Sequence, residues 1–291
     1  MLNKSLADAV ARMLREKQGR PATITGITSV GGGSINRAVR LETDTGYFFL
    51  KWNDAEKFPG MFAAEARGLD LLAKTGTLVV PETIGTGETD TTAFLLLGFL
   101  EKKQAGESGW REAGAALARL HKNTQDRFGL DHDNYIGSLP QRNRMHDSWT
   151  DFFTEERILP QVKAAYDDQR IGAAQVKQAE NLCARLGEIF PAEKPALLHG
   201  DLWNGNFMFS AEGPAVFDPA VYYGHREMDL AMTELFGGFD AAFYEGYDEA
   251  FPLEKNRRKR IGCCNLYPLL VHVNLFGGRY VQDVKSILAH F

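Results

Sequence analysis

A histidine, an aspartate and two asparagines crowd into residues 199–206, "HGDLWNGN". Their flanks, "PALL" and "FMFS", are apolar and predict short buried strands. A structural turn needs a glycine and one Asn or Asp, so this turn carries more polar chemistry than turning requires. Asp201 and Asn206 form an H-x-D-x-x-x-x-N pattern with His199, and Asp218 follows the apolar run "PAVF". A carboxylate at a strand end and a loop asparagine offer hard oxygen ligands, which suit Mg²⁺ carrying phosphates. Asp201 can then accept a hydroxyl proton.

Three further features fit phosphate chemistry. "GGGS" (31–34) joins two strand-like runs, and a glycine loop between strands can fold over phosphates. It is neither a Walker loop, lacking Gly-Lys-Ser/Thr, nor a dinucleotide fingerprint, because a strand follows it. Lys51 interrupts the apolar strand "FFLKWN". Lysine is rarely buried unpaired, so it either points to solvent or has a partner. Glu65, among alanines in "FAAEARGLDLL", is the candidate partner that holds its ammonium towards phosphate oxygens.

These residues need a frame. The runs at 22–30, 35–43 and 46–53, then 79–90 and 92–101, predict an antiparallel sheet with one helix, 58–76, inserted after the third strand. From residue 109 helical patterns dominate, at 110–124, 148–166, 171–190, 226–238, 240–251 and 257–276. The expectation is an α+β chain of two lobes, residues 1–101 and 102–291, and clefts favour such boundaries.

Bulk properties narrow the classes. The 291 residues carry a net charge of −5, with 44% hydrophobic and 24% charged residues. That is ordinary globular composition and speaks against sequence-independent nucleic-acid binding. The basic run "KNRRKR" (255–260) is read as a solvated helix end. Three cysteines, two of them adjacent, suggest no disulfide framework or zinc site. The N-terminus reads as an amphipathic helix rather than a signal peptide. "IGCCNLYPLLVHVNLFGG" reads as a buried helix rather than a membrane span. A cytoplasmic protein without membrane or nucleic-acid partners is expected. The oligomeric state is open, with a monomer as the working expectation.

The glycine loop, strand lysine, helix glutamate, H-x-D-x-x-x-x-N and later aspartate together resemble the protein-kinase-like fold. Gly200 and Trp203 stand where protein kinases have other residues, and no A-P-E follows Asp218. These departures point to the small-molecule branch. Within it the chain resembles the fructosamine kinase (ketosamine-3-kinase) family through "GGGSIN", "HGDLWNGN", "FDPAVYYGHREMDLAMTELFGGF" and "LYPLLVHVNLFGGRY", which with the lobe order span nearly the whole chain. Some members carry a cysteine in the glycine loop that forms a redox-sensitive dimer bond; this loop has none.

The resemblance implies ATP and Mg²⁺ as cofactors and phosphorylation of the 3-hydroxyl of a ketoamine, whose product falls apart and frees the amine. Bacterial relatives often prefer ribulosamines to fructosamines, so the sugar is open. Asp201 is then the catalytic base, Asn206 and Asp218 the metal ligands, and Lys51, oriented by Glu65, the phosphate-binding cation. Gly31, Gly32, Gly33 and Ser34 cover the phosphates, and the backbone of Gly98, Phe99 and Leu100 meets adenine. Trp203 offers a face to the sugar, and Tyr222, Tyr223, His225 and Arg226 are candidates for the substrate end. His199 and Asp229 are read as structural.

Rival readings are an aminoglycoside, amino-sugar or choline kinase, a non-catalytic nucleotide-binding relative, and a metal hydrolase using His199, Asp201 and Asp218. The hydrolase explains neither Lys51–Glu65 nor the glycine loop. Against polycationic acceptors, Glu227 and Asp229 are expected to be balanced by Arg226 and His225, with further basic groups in "EKNRRKR".

Overall fold

The computed structural model describes residues 2–31 and 36–291. It falls into two compact units, Met1–Gln104 with Met208–Asp218, and Ala105–Phe207 with Pro219–Phe291. The expected boundary after residue 101 thus differs in two respects: the first unit runs on to Gln104, and the segment 208–218 joins it. Bridges of Val79 to Ala215 and of Lys103 to Phe209 tie it there.

The first unit begins with α1 (Lys4–Gln18), capped by the Asn3 side chain, which accepts from the Leu6 N–H at 2.8 Å. Strands β1 (Ile24–Ser29), β2 (Arg37–Thr43) and β3 (Gly46–Asp54) lead into α2 (Met61–Ala73), followed by β4 (Thr83–Thr89) and β5 (Thr92–Gly98). They form one antiparallel sheet in the order β1-β2-β3-β5-β4. Side chains alternate along a strand, and here each face has its own helix. Leu41, Phe48, Leu50, Phe94 and Leu96 pack with Leu6, Val10 and Leu14 of α1. Ala93, Leu95 and Leu97 pack with Phe62 and Leu69 of α2, with Phe49 beside them. Burial on both faces explains why β5 reads as an unbroken apolar run. Lys51 follows Phe49 on the same face by the two-residue period, so it faces α2.

The second unit is mainly helical. It contains α3 (Glu107–His121), the hairpin β6 (Asn134–Ile136) and β7 (Leu139–Gln141), and α4 (Trp149–Phe152), which runs through a π-helical turn, Phe153–Ile158, into α5 (Leu159–Asp167). Then come α6 (Ala173–Ile189) and β8 (Ala196–Leu198). The hairpin of β9 (Phe207–Ser210) and β10 (Gly213–Val216) lies largely in the first unit. The chain returns with β11 (Tyr222–Gly224), α7 (Glu227–Leu235), α8 (Ala241–Ala250), α9 (Arg257–Phe276) and α10 (Tyr280–Leu288). β11 pairs antiparallel with β8. Its core gathers Trp149, Phe152 and Phe153, Leu182 and Leu186 of α6, and Leu266, Leu270 and Val273 of α9. The hairpin β6–β7, the strand β11 and α10 are absent from the expectations, and the single helix expected at 148–166 is broken by the π-helical turn.

The basic run at 255–260 is not simply a solvated helix end. Arg260 is buried, and its guanidinium meets both carboxylate oxygens of Glu227, at 2.7 and 2.5 Å. Arg257 pairs with Glu234 at 2.6 Å. Among the described residues no helix is long and apolar enough to cross a membrane, and Cys183, Cys263 and Cys264 are free thiols.

Candidate active site

In the first unit the Lys51 ammonium donates to both oxygens of Glu65, at 2.9 and 3.0 Å, and to Oδ1 of Asp218 at 2.8 Å. Lys51 and Glu65 are almost enclosed, whereas the Asp218 side chain is 41% exposed. Burial alone would lower the lysine pKa, but the charges of Asp218 and Glu65 and their hydrogen bonds overcome it and hold it above the ordinary value. The ammonium therefore stays charged and fixed on the sheet face that alternation assigns it.

Asp218 ends the first unit's segment with φ 55°. A non-glycine residue rarely adopts this conformation, and such outliers gather at functional sites. Gly31 is exposed; Gly32, Gly33 and Ser34 lie outside the described residues. At the expected adenine strand the Gly98 N–H donates to the Glu82 carbonyl at 2.8 Å and the Phe99 N–H to the Tyr47 carbonyl at 3.3 Å. Both N–H groups are thus engaged within the chain, leaving the Leu100 N–H as the donor of the three without a backbone partner among the described residues.

The second unit builds the turn after β8. The Trp203 N–H donates to the Asp201 carbonyl at 3.2 Å, and the Asn206 N–H to the Trp203 carbonyl at 2.9 Å. The Asn206 amide nitrogen donates to the Asp201 carbonyl at 2.9 Å and to its carboxylate Oδ2 at 3.0 Å. The amide is thereby oriented with its nitrogen on Asp201 and its oxygen at the other end. An amide oxygen on Asn206 and a carboxylate on Asp218 are the donor types a hard divalent cation takes, so these residues fit the implied metal chemically.

Asp229, on the first turn of α7, holds this turn from behind. Its carboxylate accepts the N–H of His199 at 2.7 Å and of Gly200 at 2.9 Å. His121 Nε2 lies 3.2 Å from the same carboxylate, and His121 Nδ1 lies 2.8 Å from the Tyr247 hydroxyl. A carboxylate only accepts, so Nε2 carries the proton and Nδ1 takes one from the tyrosine. α3 brings in His121 and α8 brings in Tyr247; they cross so closely that a Cβ on Gly114 would stand 1.8 Å from the Phe243 carbonyl oxygen. Burial pushes the Asp229 pKa up, but the hydrogen bond from His121, the electrostatic pull of the His121 and His199 imidazoles beside it, and the Gly200 N–H hold it below its ordinary value. His199 is fully buried, and its Nδ1 accepts from the Asp201 N–H at 3.3 Å.

Three substrate candidates are corrected. Tyr222 is 1% exposed and lies beneath the Arg157 guanidinium, 4.1 Å from its ring centroid. His225, also 1% exposed, sits between the rings of Trp149 and Phe190. Arg226 grips Glu193 through Nε and one Nη at 2.8–3.0 Å and donates to the carbonyls of Phe251 and Pro252. In these positions they build the core and do not face a substrate. Tyr223 is half-buried, its backbone paired with Gly129. Trp203 is half-buried, with its ring over Gly205 and its edge against Phe236 at 5.9 Å. The charge balance expected around 226–229 also changes. Glu227 is spent on Arg260, Asp229 on the turn and Arg226 on Glu193, so these charges give no account of a substrate.

A sheet unit with a glutamate-clasped lysine, joined to a helical unit with an Asp/Asn turn, defines a protein-kinase-like fold of the α+β class. Solved structures agree: an aminoglycoside phosphotransferase covers 97% of this chain and 98% of its own with a TM-score of 0.66, at 17% identity, which speaks to the fold alone. Within that fold the chain belongs to the fructosamine kinase family, whose sequence pattern matches residues 6–291. A Haemophilus somnus structure named as a fructosamine-3-kinase matches with a TM-score of 0.89 at 31% identity, covering 97% of this chain and 96% of that one. A probable ketoamine kinase of Synechocystis is 41% identical over 287 residues, 96% of this chain and 94% of its own length. A chloroplastic protein-ribulosamine 3-kinase of Arabidopsis thaliana is 38% identical over 278 residues, 93% and 84% of the two chains.

Proposed function

We propose that this chain transfers the γ-phosphoryl group of ATP to the 3-hydroxyl of a ketosamine, a ribulosamine or fructosamine adduct of an amine. The observation that carries the reading is Lys51 held by Glu65 and Asp218 in a chain whose family is that of the fructosamine kinases. A charged, immobile ammonium suits the α- and β-phosphates of a nucleotide. Gly31 to Ser34 cover the phosphates and the backbone at 98–100 receives adenine; the Leu100 N–H, without a backbone partner among the described residues, supports that use. Asn206 and Asp218 would hold Mg²⁺, which would supply positive charge to offset that of the phosphates.

Asp201 orients the sugar hydroxyl and takes its proton as O3 bonds to the γ-phosphorus and the bond to the β-phosphate oxygen breaks. ADP and a sugar phosphate result. Enolisation of that phosphate between C1 and C2 expels phosphate from C3, and hydrolysis of the resulting imine frees the amine. The role is repair of glycated amino acids or proteins.

The test is ADP release across a panel of ribuloselysine, fructoselysine, kanamycin and choline, followed by phosphorus NMR. Turnover of a ketoamine is expected, with a sugar phosphomonoester that decays to inorganic phosphate as lysine appears. Rapid turnover of kanamycin or choline alone would overturn the assignment and leave the kinase fold intact.

A further inference from the structure

The turn that carries Asp201 is clamped at both ends of one helix. At the start of α7, Asp229 accepts the N–H groups of His199 and Gly200. At its C-terminal end, Phe236 meets the edge of Trp203 at 5.9 Å. Phe236 in turn lies 4.8 Å from the His272 ring on α9, and His272 lies 4.8 Å from Tyr280 on α10. All four rings are half-buried. An aromatic step thus leads away from the proposed base, fixed to the same turn.

His272 gives the step a polar point. Its Nδ1 lies 2.8 Å from the Pro268 carbonyl oxygen. A carbonyl only accepts, so Nδ1 carries the proton and Nε2 of the neutral ring is an acceptor. Burial lowers the pKa of this imidazole, which favours the neutral form. Among the described residues no carboxylate bonds to His272. The Arg279 guanidinium lies beside the step, 5.4 Å from the Tyr280 ring centroid. Tyr280 already has a cation over its ring, so its role is to buttress His272.

Aromatic rings and one neutral acceptor that no carboxylate bonds among the described residues suit a single N–H-bearing cation better than a polycation. On the ketosamine reading, which this inference deepens, the amine nitrogen lies a few bonds from O3. We propose that Trp203, Phe236 and His272 form the subsite for the amine end of the ketosamine, with His272 Nε2 accepting an N–H of its ammonium.

The test compares the KM of the ketosamine with the inhibition constant of the matching free ketose, which has the sugar but no amine. His272→Phe keeps the ring and loses the acceptor. It is expected to raise the ketosamine KM about tenfold while the ketose constant and the KM for ATP stay near wild type. His272→Gln restores an acceptor and should recover most of the loss. Equal weakening of ketose and ketosamine, or an unchanged ketosamine KM, overturns the subsite. The wild-type protein supplies a second measurement that needs no folded variant. Its His272 nitrogen resonances should shift on adding ketosamine and not on adding ketose, and no shift with ketosamine overturns the subsite equally. If wild type turns over no ketosamine at all, the proposed function itself falls. Turnover with an indifferent His272 sinks only the subsite.

Discussion

A Cβ placed on Gly200 would stand 2.0 Å from the carbonyl oxygen of Ala220, while the Ala220 N–H donates to the His199 carbonyl at 2.9 Å. The turn carrying Asp201 and the segment just after Asp218 are therefore in backbone contact, with no room between them for a side chain. Gly200 also has φ 82°, a conformation that costs other residues energy. The glycine that stands where protein kinases carry arginine is thus required by packing. Gly200→Ala is expected to cost about 3 kcal/mol from strain and overpacking together, read in a urea titration. The kcat should fall with it. A variant of unchanged stability would mean the two segments do not touch as described.

Asp229 holds two N–H groups of the same turn. Asp229→Asn keeps the shape but removes the charge, and each hydrogen bond to a charged group is worth about 1.5–3 kcal/mol. Lower stability and lower kcat are expected together, because the turn positions Asp201. The pKa of Asp229 is depressed in the folded chain, so its contribution is fully present above its ordinary value of 3.8 and is lost as pH falls through the lower folded value. Stability measured from pH 6 downward should fall less steeply below pH 4 in Asp229→Asn than in wild type. Parallel curves would remove Asp229 from the acid transition.

Lys51→Met leaves Glu65 and Asp218 facing each other without their cation. Breaking a buried ion pair from one side costs about 3–5 kcal/mol, reduced here because Asp218 is partly exposed. ATP with Mg²⁺ should raise the melting temperature of wild type and do so far less in Lys51→Met. The double variant Lys51→Met, Glu65→Gln should regain stability and not nucleotide binding. Normal stabilisation by ATP in Lys51→Met would take the lysine out of the phosphate site.

Lys51 and Glu65 were legible in sequence because both signals are local. A charge breaks an apolar strand, and a carboxylate breaks an alanine-rich helix that follows it. The alternation of β5 between two covering helices was legible as an apolar run for the same reason. Tyr222, His225 and Arg226 were misread because residue type does not say which way a side chain points. The partner of Arg226 is Glu193, 33 residues upstream, and nothing in either stretch links them. Phe236, His272 and Tyr280 meet only through the packing of α7, α9 and α10. Each has an ordinary apolar helix around it, so only tertiary contact brings them beside Trp203.

Arg226 separates those readings directly. If it faced substrate, Arg226→Met would raise the ketosamine KM. The structure instead gives it three bonds to Glu193 and two to backbone carbonyls, with Phe251 under its guanidinium at 3.8 Å. Arg226→Met should therefore lower the melting temperature clearly and leave KM for both substrates close to wild type. Arg226→Met, Glu193→Met should recover part of the stability, since the carboxylate no longer lies buried without its cation. A selective rise in ketosamine KM at full stability would return Arg226 to the substrate site.

Asp201 and Asp218 carry the same functional group and are assigned different work, so their variants should differ in kind. Asn206 orients the Asp201 carboxylate through its amide nitrogen at 3.0 Å, whereas Asp218 is bound to the Lys51 ammonium at 2.8 Å. Asp201→Asn removes a base and leaves the nucleotide's contacts in place. Its kcat should fall roughly 10²–10⁴-fold, with ATP binding nearly intact. Asp218→Asn removes a charge from the proposed metal ligands, so its activity should need more Mg²⁺ and its apparent ATP affinity should weaken with it. Titrating Mg²⁺ at saturating ketosamine distinguishes the two. The Asp201→Asn curve should be scaled down without a shift in midpoint, and the Asp218→Asn curve should shift to higher concentration. An unshifted Asp218→Asn curve would end its assignment as a metal ligand, and a near-normal kcat in Asp201→Asn would end that of the base.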